Sequence, residues 1–408
     1  MLVPGRWWNP PVLIVAYSHL EHANDLEPAP GHHHLLEKCP FHQEDTFDPP
    51  FYVVSRHEDV LAMVTDPAQW LNGDGPGVFK QVGGVLGSAD DPDHRRQRKV
   101  LQDGFRPAAI ASLAPRVETI GRELWNSAFG ADGQGDFVRL FAFPFPAIVI
   151  AEMLGIRSED RDQFGHWSDD IVNGLGGGDL ALVEAANLGI YGLVDGLVAE
   201  RQAIIESGGV PPDDLLSVLT AAYLNGELQY SEVRRLCQQV LVAGHETTAS
   251  LLSLMLYRLI LQPQLMQELR DNPNLFPWAV EEFLRYDSPV QGLFRTNKHE
   301  AVVHGVTIEE RTKVQLLFAA ANRDPRVWSD PDEIKFDRFG PGSKPHLAFG
   351  WGVHHCIGNV LARREGQMAL RWMVETFDTI ELIGEAKVNQ PFILRGLTTL
   401  PIRWTVRK

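Results

Sequence analysis

The chain has 408 residues, 44% of them hydrophobic and 22% charged, and 37 basic against 53 acidic side chains leave a net charge of −16. That balance excludes a disordered chain, a collagen and a coiled-coil rod, and the acidic excess argues against general affinity for nucleic acid or anionic membranes. Three scattered cysteines, Cys39, Cys237 and Cys356, are too few for a disulfide framework and fit a reducing compartment.

The apolar run at 12–17 is too short for a signal sequence or a membrane span, and no later stretch reaches eighteen uninterrupted apolar residues. A soluble, cytoplasmic protein is therefore expected. Residues 1–44 read as an N-terminal extension packed on one domain, 45–408, because no Pro/Gly/Ser linker divides the rest. A short strand is predicted at 51–54 and a short helix at 57–65. A glycine-rich loop follows, carrying Val78 and Phe79. From about 92 to 286 helical patterns dominate, with a long amphipathic helix at 179–207. The longest helix is predicted at 231–261; it is apolar on nearly every side from 240 to 256 and so should run through the centre. A shorter helix at 277–286, strand-like alternation at 294–317, a loop at 322–355, a helix at 357–374 and terminal strands complete the chain. The fold class expected is mainly α with small β-sheets.

The most informative segment is Phe349-Gly-Trp-Gly-Val-His-His-Cys-Ile-Gly358. Its cysteine closes a loop and faces the N-terminus of a helix, where free N–H groups and the helix dipole favour thiolate. Glycines at 350, 352 and 358 let a flat ligand approach the backbone. Such a thiolate suits a soft metal; the alternatives are an inert buried cysteine, or zinc held by His354, His355 and Cys356, which adjacent residues rarely achieve. Within the long helix, Ala243-Gly-His-Glu-Thr-Thr248 places small residues beside a buried acid, Glu246, and a hydroxyl, Thr247. The small residues should open a gap beside the helix, and Thr247 should bond a carbonyl one turn earlier. Glu282 and Arg285 are three apart on one helix face, as are His94 and Arg98 at four apart. Each pair could be an ordinary surface feature.

The segment from Phe349 to Gly358 matches F-G-x-G-x-H-x-C-x-G at every fixed position, and in this it resembles the cytochrome P450 family. The resemblance spans roughly 45–405. It implies the cytochrome P450 fold, with haem b lying between the long central helix and the cysteine loop. Cys356 would be the iron ligand, with Phe349, Gly350 and Gly358 about the sulfur. His354, His94, Arg98 and Arg295 would hold the haem propionates. Ala243 and Gly244 would form the oxygen-binding groove, and Glu246 with Thr247 would relay protons. Glu282, Arg285 and Arg338 would form a structural triad. The implied reaction is monooxygenation: one atom of O2 enters a hydrophobic small molecule. A haem-thiolate isomerase or peroxygenase and a non-catalytic haem sensor or carrier are the alternatives. No nucleotide-binding loop or iron–sulfur spacing is present, so electrons should come from separate proteins; the resemblance implies an iron–sulfur ferredoxin and its reductase. Lys344, Arg363, Arg364 and the 95–99 run could steer such an acidic partner to a monomer. Substrate contacts assigned by position are Val78, Phe79, Gln239, Val242, Ala243, Thr248, Gln291, Leu293, Phe294, Ile393 and Leu394.

Overall fold

The central helix, Tyr230–Leu261, organises the molecule, and every residue from Thr248 to Leu259 is buried. It starts one residue before the predicted position because Gln229 and Glu232 form a reciprocal cap, the Glu232 carboxylate accepting from Gln229 N at 2.8 Å. Pro263 begins the next helix, Pro263–Asp271. Arg258 lies inside the buried run of the central helix. It donates to Asp287 Oδ1 at 2.7 Å and stacks 5.0 Å from the Tyr286 ring, which neutralises a charge the core could not otherwise hold. The computed structural model describes residues 26–27, 31–78, 80, 83–175, 180–388 and 393–408.

Around this axis pack the helices Pro107–Phe129, Pro144–Leu154, Arg161–Leu175, Leu180–Glu206, Phe276–Asp287 and Asn359–Thr376. An aromatic core joins three of these elements to the C-terminal sheet. Trp125 stands 4.6 Å from Phe129, 4.8 Å from Phe141, 6.1 Å from Trp372 and 5.5 Å from Phe377, all centroid to centroid. Gly121 permits this packing, since a Cβ there would lie 2.5 Å from both Phe145 and Trp372.

Among the described residues the sheets are small. The largest has the order Phe41–Glu44, Phe51–Val54, Lys313–Leu316, Leu293–Asn297, Trp70–Leu71. Its one parallel pairing joins Phe51–Val54 to Lys313–Leu316. Segments at 41–71 and 293–316 thus share one sheet, and the hairpin Phe41–Glu44/Phe51–Val54 spans 44/45. A second sheet orders Gly133–Asp136, Pro401–Val406, Phe377–Leu382. The predicted alternation at 294–317 resolves into four short strands, because Gly305 and the left-handed residues His304 and Arg311 turn the chain back.

Among the described residues one helix segment, Ala181–Glu206, is by length and composition apolar enough to cross a membrane. Only 28% of its most apolar window is buried. It nevertheless carries Asp195, paired with Arg234, and Arg201, which donates to Asp214 Oδ2 at 2.6 Å.

Candidate active site

Cys356 is placed by a loop with two left-handed turns, at Gly350 (φ 63°) and Gly352 (φ 71°). At Gly352 a Cβ would meet Val64 O at 2.6 Å, so only glycine lets the loop lie against the His57–Val64 helix. Cys356 N donates to Phe349 O at 2.9 Å, which closes the loop around the sulfur. Burial pushes the Cys356 thiol up, and the backbone N–H groups of Gly358 and Asn359, with Arg98 and Arg363, draw it only partly back. The expected thiolate preference from the helix terminus is therefore outweighed by desolvation in the protein alone; a bound metal cation would reverse that balance.

The sulfur faces a cavity of about 270 Å³. Its opposite wall is the central helix, through Gln239, Ala243, Gly244, Thr247 and Thr248. Thr247 Oγ1 donates to Ala243 O at 2.7 Å, the back-bond expected from sequence. Gly244 does not leave an open gap: a Cβ there would meet Ile150 Cδ1 at 2.5 Å, so the Pro144–Leu154 helix fills it. Ala243 is the small residue whose surface is exposed. Glu246 is half-buried, not buried as expected, and the cavity lining does not include it.

One edge of the cavity is basic. Arg98 Nη2 donates to His355 O at 2.8 Å, tying the Asp93–Leu101 helix to the cysteine loop. Arg295 is buried on the Leu293–Asn297 strand and donates to Phe294 O at 2.9 Å; burial pushes its guanidinium down to about 10. The His94 and His354 rings lie 4.0 Å apart. Burial, then His94, Arg295 and Arg98, push His354 down to about 3. Among the described residues no partner reaches His94 Nε2 or His354 Nδ1, both buried. Two guanidiniums bonded to carbonyls and two unmet imidazole nitrogens form a donor set suited to carboxylates. With a soft sulfur ligand on the floor and a flat glycine-lined approach, the residues present fit a haem carrying two propionates. Phe349, Gly350 and Gly358 line the same floor. Phe349 is covered by the Arg363 guanidinium, 4.4 Å from the ring centroid.

Behind the floor, Glu282 receives Arg285 through two bonds of 2.8 Å and Arg338 Nε at 3.1 Å. Glu282 and Arg285 are fully buried, so this is not a solvated surface pair. Arg285 also donates to the carbonyls of Asn322, Pro331 and Glu333, stitching the 322–333 loop to the helix.

Several residues assigned to substrate do not line the cavity. Val78, Phe294, Ile393 and Leu394 pack in a separate apolar cluster with Leu35, Leu36 and Phe51. Val242 packs against the main core. Gln291 spends its amide on Asp287 O and Ser288 O, at 2.9 and 2.6 Å. Phe79 lies outside the described residues. Gln239, Ala243, Thr248 and Leu293 do line it, joined by Leu86, Gly87, Ile150, Pro289, Val290 and Phe318. These additions come from four separate segments, and no local sequence signal marks them. The basic run also divides: Arg95 and Lys99 are exposed, whereas Arg96 turns to Glu232 and Arg98 to the loop. Lys344 and Arg364 are exposed, and Arg363 pairs with Glu281 at 2.7 Å.

The sequence profile described as Cytochrome P450 matches residues 149–405. Cytochrome P450 107B1 of Saccharopolyspora erythraea is 35% identical over 334 residues, 80% of this chain and 79% of that protein. The 6-deoxyerythronolide B hydroxylase of the same organism is 33% identical over 78% of this chain and 77% of its own. Among solved structures, the enzyme CxnD, described as a P450 for C–S bond formation in chuangxinmycin biosynthesis, superposes with a TM-score of 0.83 at 30% identity, covering 95% of this chain and 98% of its own.

Proposed function

This chain belongs to the cytochrome P450 family, and on that premise we propose that it hydroxylates a hydrophobic small organic molecule, with Cys356 as the haem-iron ligand. It is a haem b monooxygenase that uses O2 and separate redox partner proteins. The observation that carries the finer reading is the facing of Cys356 and the Ala243–Thr248 turns across one largely apolar cavity. Haem, when bound, supplies the activation of dioxygen and the insertion of one oxygen atom.

The chain's own residues do the rest. Cys356 donates electron density as a thiolate, held by the Gly358 and Asn359 N–H groups. His94, His354, Arg98 and Arg295 would hold the two propionates of a bound haem. Thr247 holds a hydroxyl proton at the cavity wall, and Glu246, the preceding residue on the helix, resupplies it from the solvent side. The apolar lining excludes bulk water and seats the substrate. Glu282, Arg285 and Arg338 hold the cysteine loop's foundation and take no part in proton transfer. Electrons arrive from an acidic ferredoxin charged by its reductase, steered by Arg95, Lys99, Lys344 and Arg364 on an otherwise acidic, monomeric, cytoplasmic protein. Hydroxylation agrees with the name of the 6-deoxyerythronolide B hydroxylase.

The test is NADH-driven turnover with a ferredoxin–reductase pair, scored for oxygen consumed and hydroxylated product over a panel of terpenes, steroids, fatty acids and aromatics. Product in step with oxygen is expected. In Thr247→Ala the fraction of oxygen recovered as product should fall about tenfold while consumption continues. Unchanged coupling in the variant would remove Thr247 from the relay. Absence of reduction-dependent turnover with every compound would favour a carrier.

A further inference from the structure

Beyond the threonines of the groove, the cavity wall on the central-helix side is apolar, lined by Leu86, Ile150, Val240, Leu251, Leu293 and Phe318. Gln239 interrupts it. It stands on the central helix one turn before Ala243 and lines the cavity. No donor among the described residues reaches its buried Oε1. Its amide lies against bare backbone, because a Cβ at Gly87 would stand 2.9 Å from Gln239 Nε2. That backbone is itself fixed: Asn72 Nδ2 donates to Gly87 O at 3.0 Å, and Leu86 N donates to Gln97 Oε1 at 2.7 Å. A buried amide oxygen left unmet in an apolar wall is costly, and a leucine of similar size would fill the place without that cost.

We propose that Gln239 is a specificity-determining residue that selects hydrophobic substrates bearing a hydroxyl group. The hydroxyl pairs with the amide, donating to Oε1 or accepting from Nε2 as the amide turns, while the carbon to be oxidised lies under the Ala243–Thr247 groove. A rise of 1.5 Å per residue sets Gln239 about 6 Å from Ala243 and about 12 Å from Thr247 along the axis. The substrate hydroxyl and the oxidised carbon are therefore separated by about 6–12 Å. An apolar pocket alone discriminates weakly between molecules differing by one hydroxyl, whereas a site with an unmet polar group rejects the analogue that leaves it unmet. The inference deepens the monooxygenase reading and rests on it for the position of the oxidised carbon.

The test uses the haem-loaded protein and a rigid matched pair, 4-cyclohexylcyclohexanol and bicyclohexyl. Dissociation constants come from the low-to-high-spin absorption shift and from calorimetry. The ratio of hydrocarbon to alcohol constants, taken in the wild type and in Gln239→Leu, cancels the general hydrophobic preference. That ratio should be about tenfold larger in the wild type, and Gly87→Ala, which displaces the amide without removing it, should lower it in the same direction. Equal ratios in wild type and Gln239→Leu would overturn the inference, whatever Gly87→Ala does. The monooxygenase reading is checked separately by the CO-bound spectrum of the same samples. A normal thiolate band with equal ratios sinks only the selection by Gln239, whereas an abnormal band in the wild type sinks the underlying reading.

Discussion

On the cysteine side of the cavity, one decapeptide from Phe349 to Gly358 supplies the sulfur, two left-handed turns and one member of the basic edge. On the opposite side, the wall is assembled from the central helix and from residues as far apart as Leu86, Ile150, Leu293 and Phe318. The two sides also differ in what holds them. The cysteine side rests on charge and hydrogen bonds, through Glu282, Arg285, Arg338 and Arg98. The opposite wall rests on apolar packing, with Ile150 seated in the space at Gly244. A rigid polar foundation fixes the chemistry, while an apolar wall is free to vary with substrate, since packing tolerates volume-conserving change and buried ion pairs do not.

Removing the foundation has the largest effect. Glu282→Leu leaves Arg285 and Arg338 buried together without their acid, so stability should fall by about 3–5 kcal/mol in urea unfolding. A change within error would mean that the foundation does not bear on the cysteine side. Next comes the helix wall, through His245. Burial holds its imidazole down at about 4, with Nε2 bonded to Phe143 O at 3.0 Å. The unfolded chain binds this proton near the ordinary 6.5, the folded chain only near 4. The stabilisation is thus complete above 6.5 and is lost as pH falls toward 4, by about 3 kcal/mol. His245→Phe should be less stable at neutral pH but flatter across that window in pH-resolved denaturation. An unchanged slope would assign the acid sensitivity elsewhere. Smaller still is the basic edge: Arg98→Ala should weaken haem retention about tenfold in transfer to apomyoglobin, with the unfolding midpoint of the apoprotein nearly unmoved. Unaltered retention would take Arg98 out of the cofactor's grip.

The legibility of the sequence divides along the same line. The cysteine loop, the Thr247 back-bond to Ala243 and the Glu282–Arg285 pair were readable because their chemistry is local: spacing of one loop or one helical turn fixes who meets whom, whereas the packing at Gly244 and the burial of Glu246 were not. The central helix was readable from its length and its all-round apolarity, and only its first residue shifted, where Gln229 takes the cap. The substrate wall was not readable. Phe294 and Leu293 are adjacent, yet strand alternation sends Leu293 to the cavity and Phe294 to the cluster with Phe51. Gln291 looked like a ligand contact and instead bonds two carbonyls. Whether the Cys356 thiol is raised or lowered depends on burial, which spacing does not reveal.

The central claim is that Cys356 offers its sulfur as the haem ligand across from Ala243 and Thr247. It is tested most directly by the absorption spectrum of the dithionite-reduced, CO-bound protein beside Cys356→Ser. The strongly red-shifted Soret band of thiolate-ligated haem is expected in the wild type, and its loss in the variant. A histidine-type band in the wild type, or a red-shifted band that survives the substitution, would contradict it.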